Sequence, residues 1–101
     1  MKLRIGQALV SAVDDTSVVV TRSGVEEALL TCGGVRMVTA GETVPGAEAD
    51  PAQAAGTVLG KRYSDPAGRI EVLCTKSGTG TLALDGEPLG LLQAKPLPAS
   101  D

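Results

Sequence analysis

The chain has 101 residues, a formal net charge of −3, 43% hydrophobic content, one aromatic (Tyr63), no histidine and two cysteines, Cys32 and Cys74. This length holds one domain, or two very small halves sharing one core, and that core must be aliphatic. The composition has neither the basic face nor the aromatics of a nucleic-acid binder, no apolar run of about 18 residues for a membrane span, and no histidine for Ser-His-Asp or Cys-His catalysis.

The first residues, Met1 to Asp15, begin with a short basic stretch, and Gln7, Ser11 and Asp14 interrupt the apolar positions. We read no signal peptide and expect a cytoplasmic protein. Residues 8–12 form the first predicted strand. Asp14-Asp15-Thr16 makes a turn, because Asp side chains bond nearby backbone amides. Val18-Val19-Val20-Thr21 is the best strand signal in the chain, being almost wholly β-branched. Ser23-Gly24 turns it, and residues 28–31 form a further strand closed by Gly33-Gly34.

Residues 41–56 change character. They are rich in Gly, Pro, Ala and acid, and they read as a linker or long loop. Asp50 and Pro51 could cap and start one helical turn over 51–56. Strands are predicted again at 58–63, 70–75, 81–84 and 90–93, with turns at 64–68 and 77–80 and a tight turn at Asp85-Gly86. Ile70, Val72 and Cys74 share one face of their strand, and Glu71, Leu73 and Thr75 the other. Residues 95–101 are a tail.

One phrase occurs twice, 52 residues apart. Leu30-Thr31-Cys32-Gly33-Gly34-Val35-Arg36-Met37 returns as Leu82-Ala83-Leu84-Asp85-Gly86-Glu87-Pro88-Leu89. The same shift, without a gap, lays Val18 on Ile70, Val20 on Val72 and Arg22 on Cys74. Two matched β units, 1–40 and 57–94, joined by the linker 41–56, are the simplest account.

Each half resembles desulforedoxin and the desulforedoxin-like domain of desulfoferrodoxin. The residues that carry the resemblance are Leu30 to Met37 in the first half, and Gly68 to Leu73, Ser77 to Leu82 and Asp85 to Leu89 in the second. The family holds iron with four thiolates, two from a turn and two adjacent. The resemblance places the turn ligands near Ser11 and Asp14, and the adjacent pair at Cys32 and Gly33. In the second half they fall near Tyr63 and Pro66, and at Leu84 and Asp85. One position of this set is a cysteine, and Cys74 matches none. The resemblance therefore implies an all-β fold, two small desulforedoxin-like (rubredoxin-like) units packed as an internal pseudo-dimer. It argues against the family's iron site.

Three readings of the cysteines remain open besides a catalytic nucleophile, for which no base partner is visible. They are buried free thiols, or a disulfide or redox pair, or part of an iron or zinc site that uses Cys32, Cys74 and Asp14, with a dimer able to supply further thiolates. Ser77-Gly78-Thr79-Gly80-Thr81 follows Lys76 but leads into a strand, so it reads as a hairpin turn and not a phosphate loop. Lys61, Arg62 and Tyr63 form the basic cluster with the sole aromatic; they read either as a solvated edge strand, where Lys discourages mispairing, or as a docking patch for an acidic partner or anionic ligand. The expected function is a non-catalytic accessory or protein-interaction module without a cofactor, with a protein partner and a homodimer allowed, and more an accessory than an enzyme. The alternative is a small redox or metal protein.

Overall fold

The computed structural model describes residues 1–92. The predicted tail 95–101, and the ends of the last strand and of the second unit at 93 and 94, lie outside the described residues. Among the described residues the chain is all-β with no helix, and it forms two antiparallel sheets.

The larger sheet has five strands in the order β1-β2-β6-β5-β9, namely Ala8–Val10, Ser17–Ser23, Ile70–Lys76, Arg62–Ser64 and Gly90–Leu92. The smaller has four in the order β4-β3-β7-β8, namely Val35–Arg36, Leu30–Cys32, Leu82–Leu84 and Glu87–Pro88. Both sheets are built from both halves. The period-2 pattern decides which side chains go inside. Val18 and Val20 on β2, and Ile70, Val72 and Cys74 on β6, are at most 1% exposed. β3 and β7 are buried at every position, and their ladder forms the centre of the smaller sheet. Leu3, Leu9, Leu30, Met37, Leu84 and Tyr63 join the same cluster. Each buried Val, Leu or Ile contributes about 1.5–3 kcal/mol relative to exposure.

The ladders relate the two halves by two offsets. In the smaller sheet, adding 52 turns the Thr31–Arg36 pair into Ala83–Pro88, and Thr31 faces its own counterpart Ala83. In the larger sheet the offset is 54: Leu9–Val18 becomes Tyr63–Val72, and Val19 faces its counterpart Leu73. The expected gapless shift is therefore corrected. Between equivalent residues the path from β6 to β7 is two residues shorter than that from β2 to β3, so Cys74 corresponds to Val20, not Arg22. Asp65 and Gly68 take the places of Ser11 and Asp14.

Both repeated phrases close as two-residue hairpins. Gly33 and Gly34 have φ of 64° and 83°, and Asp85 and Gly86 have 49° and 86°. This left-handed pair is the type I′ turn that matches strand twist, and Asp tolerates it better than most residues.

Two expectations change. The strand predicted over 58–63 begins only at Arg62. Gly60, at φ 81°, instead makes a turn in which the Lys61 N–H donates to the Val58 carbonyl. Residues 51–56 form no helical turn. Asp50 accepts the Ala52 N–H on Oδ1 and the Gln53 N–H on its carbonyl, which makes a single turn. The second part of the expected linker is a strap. Asp50 N–H donates to Gly33, Thr81 N–H donates to Gln53, and Thr57 N–H donates to Gly78.

Candidate functional site

Asp14 and Cys32 meet at the corner formed by the β1–β2 turn, the end of β3 and the glycine-rich turn before β7. Ser11 starts this corner by accepting the N–H groups of Val13 and Asp14 on its hydroxyl, an ST turn that aims Asp14 inward. Asp14 Oδ1 then accepts the Thr16 N–H at 2.9 Å, and Oδ2 accepts those of Thr79 at 2.9 Å and Gly80 at 2.5 Å. The Cys32 thiol donates to the same carboxylate at 3.8 Å. The glycines of the turn are there because nothing larger fits. A Cβ on Gly80 would stand 2.8 Å from Cys32 Sγ and 2.7 Å from the Gly33 nitrogen, and one on Gly78 would stand 2.8 Å from the Thr16 nitrogen.

Burial would raise the Asp14 pKa, but the N–H groups of Thr16 and Gly80 and the hydroxyls of Ser11 and Thr16 outweigh it and hold the group down at about 2. Burial pushes the Cys32 thiol up, and the Asp14 charge adds to this against the hydroxyls of Thr16 and Ser11. The pair is therefore a carboxylate and a neutral thiol. A neutral thiol is a poor nucleophile.

These residues do not fit a tetrathiolate metal centre. Such a centre needs four deprotonated donors. The corner holds one thiol, and both oxygens of its neighbouring carboxylate already accept backbone N–H groups. Cys74 is not part of this corner. It lies on β6, in the other sheet, where its thiol donates to the Lys76 carbonyl at 3.2 Å. Cys32 and Cys74 are both free and 0% exposed. Among the described residues no group of three or more Cys, Asp or Glu is placed to hold a metal. Of the expected set Cys32, Cys74 and Asp14, the fold thus gathers the first and the last.

The corresponding corner of the second half is closed by a cation. Arg69 Nε donates to Asp65 Oδ2 at 2.9 Å, and the guanidinium reaches Asp85 at 3.6 Å and Glu87 at 3.8 Å. Asp65 Oδ1 accepts the Ile70 N–H, and its side chain is fully buried. Burial alone would raise the Asp65 pKa, but the Arg69 hydrogen bond and the backbone N–H groups of Ile70 and Arg69 bring it below the usual carboxylate range.

The basic cluster divides between surface and core. Lys61 and Arg62 are exposed, and Arg62 lies 3.8 Å from Glu71. Tyr63 is 8% exposed, and its hydroxyl accepts the Val58 N–H at 2.9 Å. The expected partner-binding role of Tyr63 is corrected, since alternation along β5 turns its ring into the core between outward Arg62 and Ser64. Exposed apolar residues lie on the same side of the sheet's ladder order as the two cations. Val58 is 53% exposed, Leu59 61%, and Leu91 and Leu92 43% each. The ladder places Leu92 opposite Arg62, and among the described residues β9 is the edge of the sheet.

Reading the sequence missed these leucines, the Arg69 knot and the strap. One signal was present: Ile5-Gly6 and Leu59-Gly60 lie 54 apart, the offset of the larger sheet. Comparison with protein-family models, with curated proteins and with solved structures finds no match to this chain.

Proposed function

We propose that this chain is a non-catalytic protein-interaction module of the cytoplasm, built as an internal pair of desulforedoxin-like units whose metal corners serve structure instead of metal binding. The observation that carries this reading is the exposure of Val58, Leu59, Leu91 and Leu92 along the β5–β9 side of the larger sheet, with Leu92 opposite Arg62 in the ladder and Lys61 in the adjoining turn. Among the described residues β9 is a sheet edge with backbone groups available to an added strand, and apolar side chains near Lys61 and Arg62 favour an acidic, partly apolar partner. The internal saturation of both corners supports the accessory role. Asp14 and Asp65 have their oxygens engaged within the fold, which leaves little at either place to act on a substrate.

The test is affinity capture with the wild-type chain and with a variant carrying Leu59→Ser, Lys61→Ala and Leu91→Ser. All three side chains are on the surface, so the thermal melt should stay unchanged while a specific partner is lost. Equal recovery with both proteins would remove this surface from consideration. The competing reading, a redox or metal protein using Cys32 and Cys74, draws support from the Asp14–Cys32 approach alone. Stoichiometric iron or zinc in the purified protein would overturn the proposal in its favour.

A further inference from the structure

The turn that carries Leu59 has a counterpart at the other corner of the sheet. Arg4-Ile5-Gly6-Gln7 and Val58-Leu59-Gly60-Lys61 are related by the offset of 54, and they share every backbone contact that defines them. Gln7 N–H donates to Arg4, as Lys61 N–H does to Val58. Gly6 N–H donates to Val20, as Gly60 N–H does to Cys74. Val20 N–H donates to Gln7, as Cys74 N–H does to Lys61. Gly6 and Gly60 have φ of 88° and 81°, so each turn needs its glycine.

No such requirement governs the residue before the glycine, which points to solvent and is well served by polar side chains. Both turns nevertheless carry a large aliphatic there, Ile5 at 68% and Leu59 at 61% exposed, the two most exposed large apolar side chains among the described residues. A single exposed Ile calls for no explanation. The same costly choice at both equivalent tips, each beside a cation in a chain of net charge −3, calls for one. Arg4 flanks the first tip and Lys61 the second, and neither is in an ion pair among the described residues. An open cleft of about 490 Å³, lined by Leu3, Arg4, Ile5 and Val25 with Glu26, adjoins the first tip.

The tips face apart. One is anchored on β2 at Val20 and the other on β6 at Cys74, and the antiparallel ladder sets those residues opposite Val72 and Val18. β1 and β5 flank that ladder from outside, so the tips occupy diagonally opposite corners of the sheet. We infer that the protein is bivalent: each tip seats its aliphatic side chain in an apolar, carboxylate-rimmed site on a partner protein, so that one chain bridges two such sites. This rests on the docking reading of the Leu59 turn and extends it to Ile5. The second tip, widened by the adjacent Val58 at 53% exposure, is the stronger of the two.

A displayed library of random dodecamer peptides, selected on the full chain, provides the probe. Enriched peptides should combine aliphatic and acidic residues. Isothermal titration with one of them should give two peptides per chain, falling to one in Ile5→Ser or in Leu59→Ser and to none in the double variant, each lost site weakening by about tenfold or more. One peptide per chain, lost in Leu59→Ser and untouched by Ile5→Ser, would overturn bivalence and leave the docking surface standing. Peptides that respond to neither substitution would overturn both. Enrichment without acidic residues, or binding to phosphatidylcholine–phosphatidylserine vesicles that the double variant loses, would overturn the assignment of the partner's chemistry.

Discussion

The two corners of this molecule solve one problem in opposite ways. At the Ser11–Asp14–Cys32 corner a carboxylate collects backbone N–H groups from a turn 65 and 66 residues away. At the Asp65–Arg69 corner a guanidinium collects carboxylates, and the close contact spans four residues. The first corner is knitted by distant backbone and requires glycines at 78 and 80. The second is closed by side chains and tolerates a polar loop. A shared fold thus fixes where a turn must be tied down, and leaves open which chemistry ties it.

Breaking each tie separately tests that contrast. Arg69→Ala should have the largest effect, about 3 kcal/mol by denaturant unfolding, because it strands the buried Asp65 charge; Asp65→Asn in the same background should recover part of the loss. Gly80→Ala should cost about 1–3 kcal/mol, since Cys32 and the backbone at Gly33 must move. Asp14→Ala should cost about 2 kcal/mol by leaving the Gly80 and Thr16 N–H groups without an acceptor.

Acid distinguishes the corners less than mutation does. Asp14 titrates near 3.8 when unfolded and at about 2 when folded. Its contribution is therefore complete above the unfolded value and is lost as pH falls toward the folded one, on the order of 1 kcal/mol after allowing for solvent screening. In Asp14→Asn the slope of stability over that window should shrink. The smallest expected effect is on thiol chemistry: both cysteines should resist an aromatic disulfide reagent in the native state and react together on unfolding. Fast native labelling of Cys32 would mean that the strap opens.

The all-β class and the turn at Asp85-Gly86 could be read from the chain, while the short return strands Val35–Arg36 and Glu87–Pro88 could not. The β-branched run Val18–Thr21 marked a strand, alternation over Ile70–Thr75 separated its two faces without saying which is buried, and Asp85-Gly86 marked a tight turn. The offset was misread because the repeated phrase is longer and cleaner than the strand pair before it. A two-residue difference in a connection leaves no compositional trace. The Asp14–Cys32 meeting was anticipated only through the resemblance. Its real partners, Thr79 and Gly80, come from the other half, and no local pattern announces them. Tyr63 was placed on the surface by its basic neighbours, although its alternation with Arg62 and Ser64 already pointed inward.

The cross-strand pairs Val19–Leu73 and Thr31–Ala83 have a kinetic consequence. The strands at the centre of each sheet come from opposite halves, so the chain must close a loop of 50 or so residues before either core exists, an entropic cost of ~3–4 kcal/mol. Neither half gains much by ordering early. Folding should be slow for so short a chain, in milliseconds to seconds, and it should have no stable half-folded stop.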